Sequence, residues 1–75
     1  MEVFSKHARE RMRDRSISEE QVILALALPE RRFRGSRENM IAEKALGSAT
    51  LRVVYEERDN GTQGPYTVII TAMWK

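Results

Sequence analysis

The stretch ISEEQVILALALPERRFRGS, residues 17–36, carries the chain from one kind of secondary structure into another. Ser18 and Gln21 stand three residues apart ahead of an apolar run, the spacing of a capping box, and Ile17 and Val22 fill the two positions of a hydrophobic staple. Glu19 and Glu20 then fall at the positive end of the helix dipole. Val22, Ile23 and Leu26 recur at helical spacing, with Ala25 and Leu28 at the margin of the same face. Pro29 closes the run, because a residue before proline is pushed out of the helical region. A helix is expected over 18–28. Beyond Pro29 the apolar period moves from 3.6 towards 2, with breaks at Gly35, Gly47 and the turn-rich segment 59–65. Strands are expected over 30–34, 40–46, 50–57 and 66–75.

Upstream, Ser5 is placed to cap a helix over 5–15 whose Phe4, Ala8 and Met12 recur every four residues. Only Ser16 and Ile17 separate the two helices, which implies a tight helical hairpin. Downstream, Gly47-Ser48 suits a short hairpin and residues 59–65 a looser one, and successive hairpins imply an antiparallel meander. Glu2–Phe4 is a candidate for a short additional edge strand. Alternation sets Leu51, Val53 and Tyr55, and then Tyr66, Val68, Ile70, Ala72 and Trp74, against the helices; Arg52, Thr71 and Lys75 fall on the other face. The expected fold is therefore α+β in one domain spanning 1–75: an N-terminal two-helix hairpin packed on one face of a three- or four-stranded antiparallel sheet.

Length and composition narrow the function. At 75 residues and without cysteine, the chain has room for one small core, and chains of this size gain only about 3–5 kcal/mol net from burial. A partner, whether another protein or a second copy in a homo-oligomer, is expected to add to that. No apolar run approaches the length of a membrane span, and MEVFSKH lacks the apolar core of a signal peptide, so a soluble, cytoplasmic protein without membrane partners is expected. The net charge of +2 says little by itself. Its make-up says more: ten of the thirteen cations are Arg, and residues 1–37 carry nine cations against six acids while residues 38–75 carry four against five. Arg presents a planar fork suited to phosphate, so the basic half points to phosphate-bearing partners, with an ion-paired solvated face as the plainer alternative.

His7 is the only imidazole, so acid–base work near neutral pH falls most simply to it. It shares a stripe with Arg11 and Arg15 at i, i+4 and i+8 beside the apolar stripe of the first helix. The structural alternative is that His7 bonds a strand carbonyl and the two arginines cap the sheet edge. One His and no Cys leave no metal-ligand set, no G-x-S-x-G or Gly-rich phosphate loop is present, and neither metal nor cofactor is expected. The inventory does allow metal-free cleavage of RNA by its own 2′-hydroxyl, which needs a base, a proton donor and cations around the phosphorane; Arg11, Arg52 and Lys75 are candidates for the cations. Tyr55 and Trp74 could stack on bases, although alternation places both in the core.

Phe4-Ser5-Lys6-His7-Ala8, Arg11-Met12, Arg15, Ile17-Ser18, Ile41-Ala42-Glu43-Lys44, Leu51-Arg52-Val53-Val54-Tyr55 and the segment Val68 to Trp74 together resemble the DUF4258 family over nearly the whole chain. That family typically has Gly where this chain has Ser16, and it is similar to the RelE/ParE-like toxins of toxin–antitoxin modules. The resemblance implies a RelE-like fold, an mRNA-cleaving toxin acting on free or ribosome-bound mRNA, and a cognate antitoxin as partner. By position it implies His7, Arg11, Arg52 and Tyr55 as catalytic residues, and with Lys75 it makes Arg15, Thr71 and Lys75 the substrate-binding set. Two other readings stand beside it: a non-catalytic module that binds RNA, ribosome or a protein, and an interaction protein whose open sheet edge or face is completed by a partner.

Overall fold

The capping box forms as its spacing predicts. In the computed structural model, which describes residues 2–75, the Ser18 hydroxyl accepts from the Gln21 N–H at 3.1 Å and the Gln21 side chain accepts from the Ser18 N–H at 3.0 Å. The element order is β1 (Glu2–Phe4), α1 (Lys6–Asp14), α2 (Glu19–Ala27), β2 (Arg31–Arg34), β3 (Met40–Leu46), β4 (Ala49–Asp59) and β5 (Pro65–Trp74). The class is α+β, but the architecture differs from the expected one in three ways.

First, the sheet has five strands in the order β1-β5-β4-β3-β2 and is mixed, not a three- or four-stranded antiparallel meander. β2 to β5 pair antiparallel in sequence order. β1 adds to the far side of β5 in parallel, with Glu2, Val3 and Phe4 beside Thr67, Val68 and Ile69. Hairpin logic sees only strands adjacent in sequence, whereas the outer edge of β5 carries its own unpaired N–H and C=O groups, and the N-terminal residues satisfy them.

Second, the helices are not an N-terminal hairpin. β1 precedes them, and each docks on the sheet by itself, α1 over β5 and α2 over β3 and β4. The connection explains this. The Ile17 N–H donates to Met12 O at 2.8 Å and the Ser16 N–H to Arg13 O at 3.3 Å, the two bonds of a Schellman motif, with Ser16 in the left-handed region at φ 56. Ile17 and Met12, the apolar pair of that motif, are both buried, so the turn inserts into the core and sends α2 along a separate line.

Third, β5 does not alternate throughout. Val54 pairs with Thr71 but Tyr55 pairs with Ile69, which leaves Ile70 as the extra residue of a β-bulge. The bulge turns Ile69 inward, where it is fully buried, and shifts Val68 and Tyr66 to the face away from the helices. Ala72 and Trp74 keep their expected side.

The core lies between the two layers, with Ala8, Met12, Ile17, Val22 and Ala25 above and Ala42, Leu51, Val53, Tyr55, Ile69 and Ala72 below. A reciprocal lock ties the end of α1 to β5: Trp74 Nε1 donates to the Arg15 carbonyl at 2.8 Å, and the Arg15 guanidinium donates to the Ala72 carbonyl at 2.8 Å, beyond the last residue that β1 pairs. Arg9 joins three elements, its guanidinium 5.5 Å from the Phe4 ring centroid of β1 and 2.6 Å from the Glu19 carboxylate of α2.

Ser16→Gly is expected to stabilise the protein. The left-handed backbone costs an L-residue about 1–2 kcal/mol, and glycine forfeits about 0.5–1 kcal/mol of extra chain entropy in exchange. The urea midpoint should rise by the equivalent of about 0.5–1 kcal/mol; a lower midpoint would mean that the Ser16 side chain contributes more than its backbone costs.

Candidate functional site

Two nine-residue helices cover one face of the sheet, so the other face must be closed by its own side chains. Across its middle runs a row from four adjacent strands: Arg31, Glu43, Arg52 and Met73. The register stems from a tight turn. Gly47 takes φ 66 at the first turn position, Leu46 pairs with Ala49, and counting back along both strands sets Glu43 opposite Arg52.

Glu43 is only 2% exposed although no helix lies over it. Its cover consists of three cations. Arg52 puts Nε at 2.8 Å and Nη2 at 2.7 Å from Oε2, while Lys75 Nζ lies 3.3 Å and Arg31 Nη1 3.4 Å from Oε1. All three keep part of their side chains in contact with water, Arg31 being the most exposed and Arg52 the least. One carboxylate thus gathers three positive charges and leaves two in excess. Burial is the largest single influence on the Glu43 carboxyl and opposes its ionisation, but the hydrogen bonds and charges of Arg52 and Lys75 together outweigh it and hold the carboxyl below its ordinary value. Among the described residues no buried side-chain nitrogen or oxygen lacks a hydrogen-bond partner. The cluster is therefore three cations gathered on one buried carboxylate, with guanidinium and ammonium N–H groups beyond those that Glu43 takes up.

The residues expected to form one site fall in four places. Arg52 and Lys75 belong to the cluster, and Thr71 shares its face two residues along β5 from Met73. His7 and Arg11 are exposed on α1, on the other side of the sheet, where Arg11 Nε donates to His7 Nε2 over a long 3.5 Å. Tyr55 lies in the core at 2% exposure, and burial pushes its phenol up. Arg15 donates one guanidinium N–H to the Ala72 carbonyl of β5, whereas neither His7 nor Arg11 bonds a strand carbonyl among the described residues. Glu43 and Arg31, which organise the patch, were not among the expected site residues. The lone acid of the strand MIAEKAL, read with the Gly47-Ser48 register that sets it opposite Arg52, was the available signal.

Among the described residues no group of three or more His, Cys, Asp or Glu side chains could hold a metal ion, and no helix is long and apolar enough to cross a membrane. A shallow cleft lined by Val3, Asn60, Gln63, Gly64, Pro65 and Tyr66 lies at the other end of β4 and β5 from the cations. A family model described as Domain of unknown function (DUF4258) matches residues 4–74. No curated protein and no solved structure matches the chain.

Glu43→Gln should lower stability at neutral pH, because three cations lose their counter-charge. Since the folded carboxyl is held below its ordinary value of 4.5, its contribution is complete above that value and fades as pH falls through the folded value. Urea unfolding of wild type and variant over a descending pH series should show a gap that closes in acid; a gap independent of pH would mean that shape, not charge, makes Glu43 matter.

Proposed function

The chain belongs to the DUF4258 family, and from that premise and the cations gathered on Glu43 we propose that it is the toxin of a toxin–antitoxin module and acts by gripping RNA on the open face of its sheet. The family's resemblance to RelE/ParE-like toxins supports the toxin role and the expectation of a cognate antitoxin. The observation that carries the RNA reading is the patch itself: Arg31, Arg52 and Lys75 held by one buried carboxylate, with two positive charges to spare. Guanidinium forks and an ammonium ordered before the ligand arrives bind phosphodiester oxygens without first having to be immobilised. A strand of RNA laid along the face would also meet Thr71 and, further on, Tyr66.

Binding is favoured over cleavage at this patch because His7 lies across the sheet and Glu43, ionised and occupied by its cations, is a poor base. Metal-independent cleavage of mRNA remains the second reading on one observation: the exposed His7–Arg11 pair on α1 sets an imidazole beside a guanidinium, the parts that a proton transfer at phosphate requires.

Anisotropy titrations with single-stranded RNA test the assignment. Arg31→Ala, Lys75→Ala and Arg52→Ala should each weaken binding and reduce the slope of log affinity against log salt by about 0.7 per lost phosphate contact, while His7→Ala binds as wild type does. Induction of the wild type in a host cell should arrest growth, and Lys75→Ala should relieve the arrest. Loss of binding in His7→Ala with full binding in the sheet-face variants would overturn the site. Cleavage products formed in the presence of a chelator and abolished by His7→Ala would establish the second reading.

A further inference from the structure

Helix α2 is apolar on both sides. Its inner side supplies Val22 and Ala25, both fully buried. Its outer side presents Ile23 at 42% and Leu24 at 39% exposure with exposed Ala27, and the C-cap residue Leu28, just past the helix, is 62% exposed. These residues stand at i, i+1, i+4 and i+5, which makes one strip about one and a half turns long, and among the described residues Ile23, Leu24 and Leu28 are three of the four large exposed hydrophobics. A helix that is apolar all round is normally covered on all sides.

The charges at the two ends of the strip say what covers it. At its N-terminal end Glu20 is exposed and makes no ion pair among the described residues, its neighbour Glu19 being held by Arg9. At its C-terminal end the exposed Arg32 donates to the Leu26 carbonyl and has no carboxylate partner among the described residues. The strip is therefore negative at one end and positive at the other, so it complements itself when turned end for end. We propose that α2 is the interface of a symmetric homodimer in which two copies pack their α2 helices antiparallel, Ile23, Leu24, Ala27 and Leu28 of one copy against the same residues of the other, with Glu20 of each facing Arg32 of its mate. The small Ala27 lets the axes approach, the opposed helix dipoles are aligned favourably, and the contact is isologous, so it closes at two copies. The interface lies on the helix side of the molecule and leaves the Glu43 face open in both copies, so it is independent of the RNA reading.

So short a strip is small, and a dissociation constant on the order of 10⁻⁵–10⁻⁴ M is expected. Sedimentation velocity over a concentration series should show the wild-type mass rising from 8.7 kDa towards twice that value. Leu24→Glu, on the outer surface and away from the core, should remain monomeric throughout with an unchanged circular dichroism spectrum. Glu20→Arg and Arg32→Glu should each weaken association about tenfold or more, and the double exchange Glu20→Arg/Arg32→Glu should restore it. A wild type that stays monomeric up to about 1 mM, a dimer unaffected by Leu24→Glu, or a charge exchange that fails to rescue the single variants would each overturn the proposal.

Discussion

A sheet with helices on one side only must close its other face with whatever its strands carry, and the burial of Glu43 there dictates how the charged side chains around it are arranged. A carboxylate placed mid-sheet has to be matched, and the match comes from Arg31 on β2, Arg52 on β4 and Lys75 just past β5. Buried ion pairs add little to stability on balance, because desolvation consumes most of the Coulombic gain. What they do supply is position. Three long side chains that would otherwise sample many rotamers converge on one point.

The helix side obeys a different constraint. With few core residues to spare, α1 is fixed at its end by paired polar contacts: the Trp74 indole on the Arg15 carbonyl and the Arg15 guanidinium on the Ala72 carbonyl. Both contacts use groups that a helix end or a strand edge would otherwise leave unsatisfied. The same arrangement commits one N–H of Arg15 to the Ala72 carbonyl, and His7 and Arg11 lie in the helix layer, so the cations of the chain are divided between the two sides of the sheet.

Much of the fold was legible in local chemistry. The capping box at Ser18, the stop at Pro29 and the tight turn at Gly47-Ser48 each depend on a few neighbouring residues, and each forms as its spacing implies. The features that were not legible depend on distant parts of the chain. The parallel pairing of β1 with β5 joins residues at opposite ends of the sequence, and the bulge at Ile70 breaks the strict alternation implied by Val68, Ile70, Ala72 and Trp74. The site was legible by half. Arg52, Thr71 and Lys75 fell on the open face because β4 alternates cleanly and the far end of β5 keeps step with it, whereas His7 and Arg52, grouped by residue type, are separated by the thickness of the molecule. Glu43 was overlooked because a lone acid in an apolar strand shows no purpose until the register puts an arginine on either side of it. Ser16 holds a left-handed backbone, φ 56, that glycine adopts without steric cost.

The parallel strand has a consequence for when the structure can form. Glu2, Val3 and Phe4 pair with residues 65 positions further along, whereas β3 and β4 meet across a two-residue turn. Because closing a long loop costs entropy before its contacts repay it, the pairing of β1 with β5 is expected to follow the β3–β4 hairpin. During synthesis α1 is complete long before β5, the strand it packs on, has been made, so its Ala8 and Met12 face stays uncovered until most of the chain has emerged. Folding is therefore gated by β5, and the newborn chain passes through a stage in which its N-terminal apolar surface is open to any helper or competitor able to hold it.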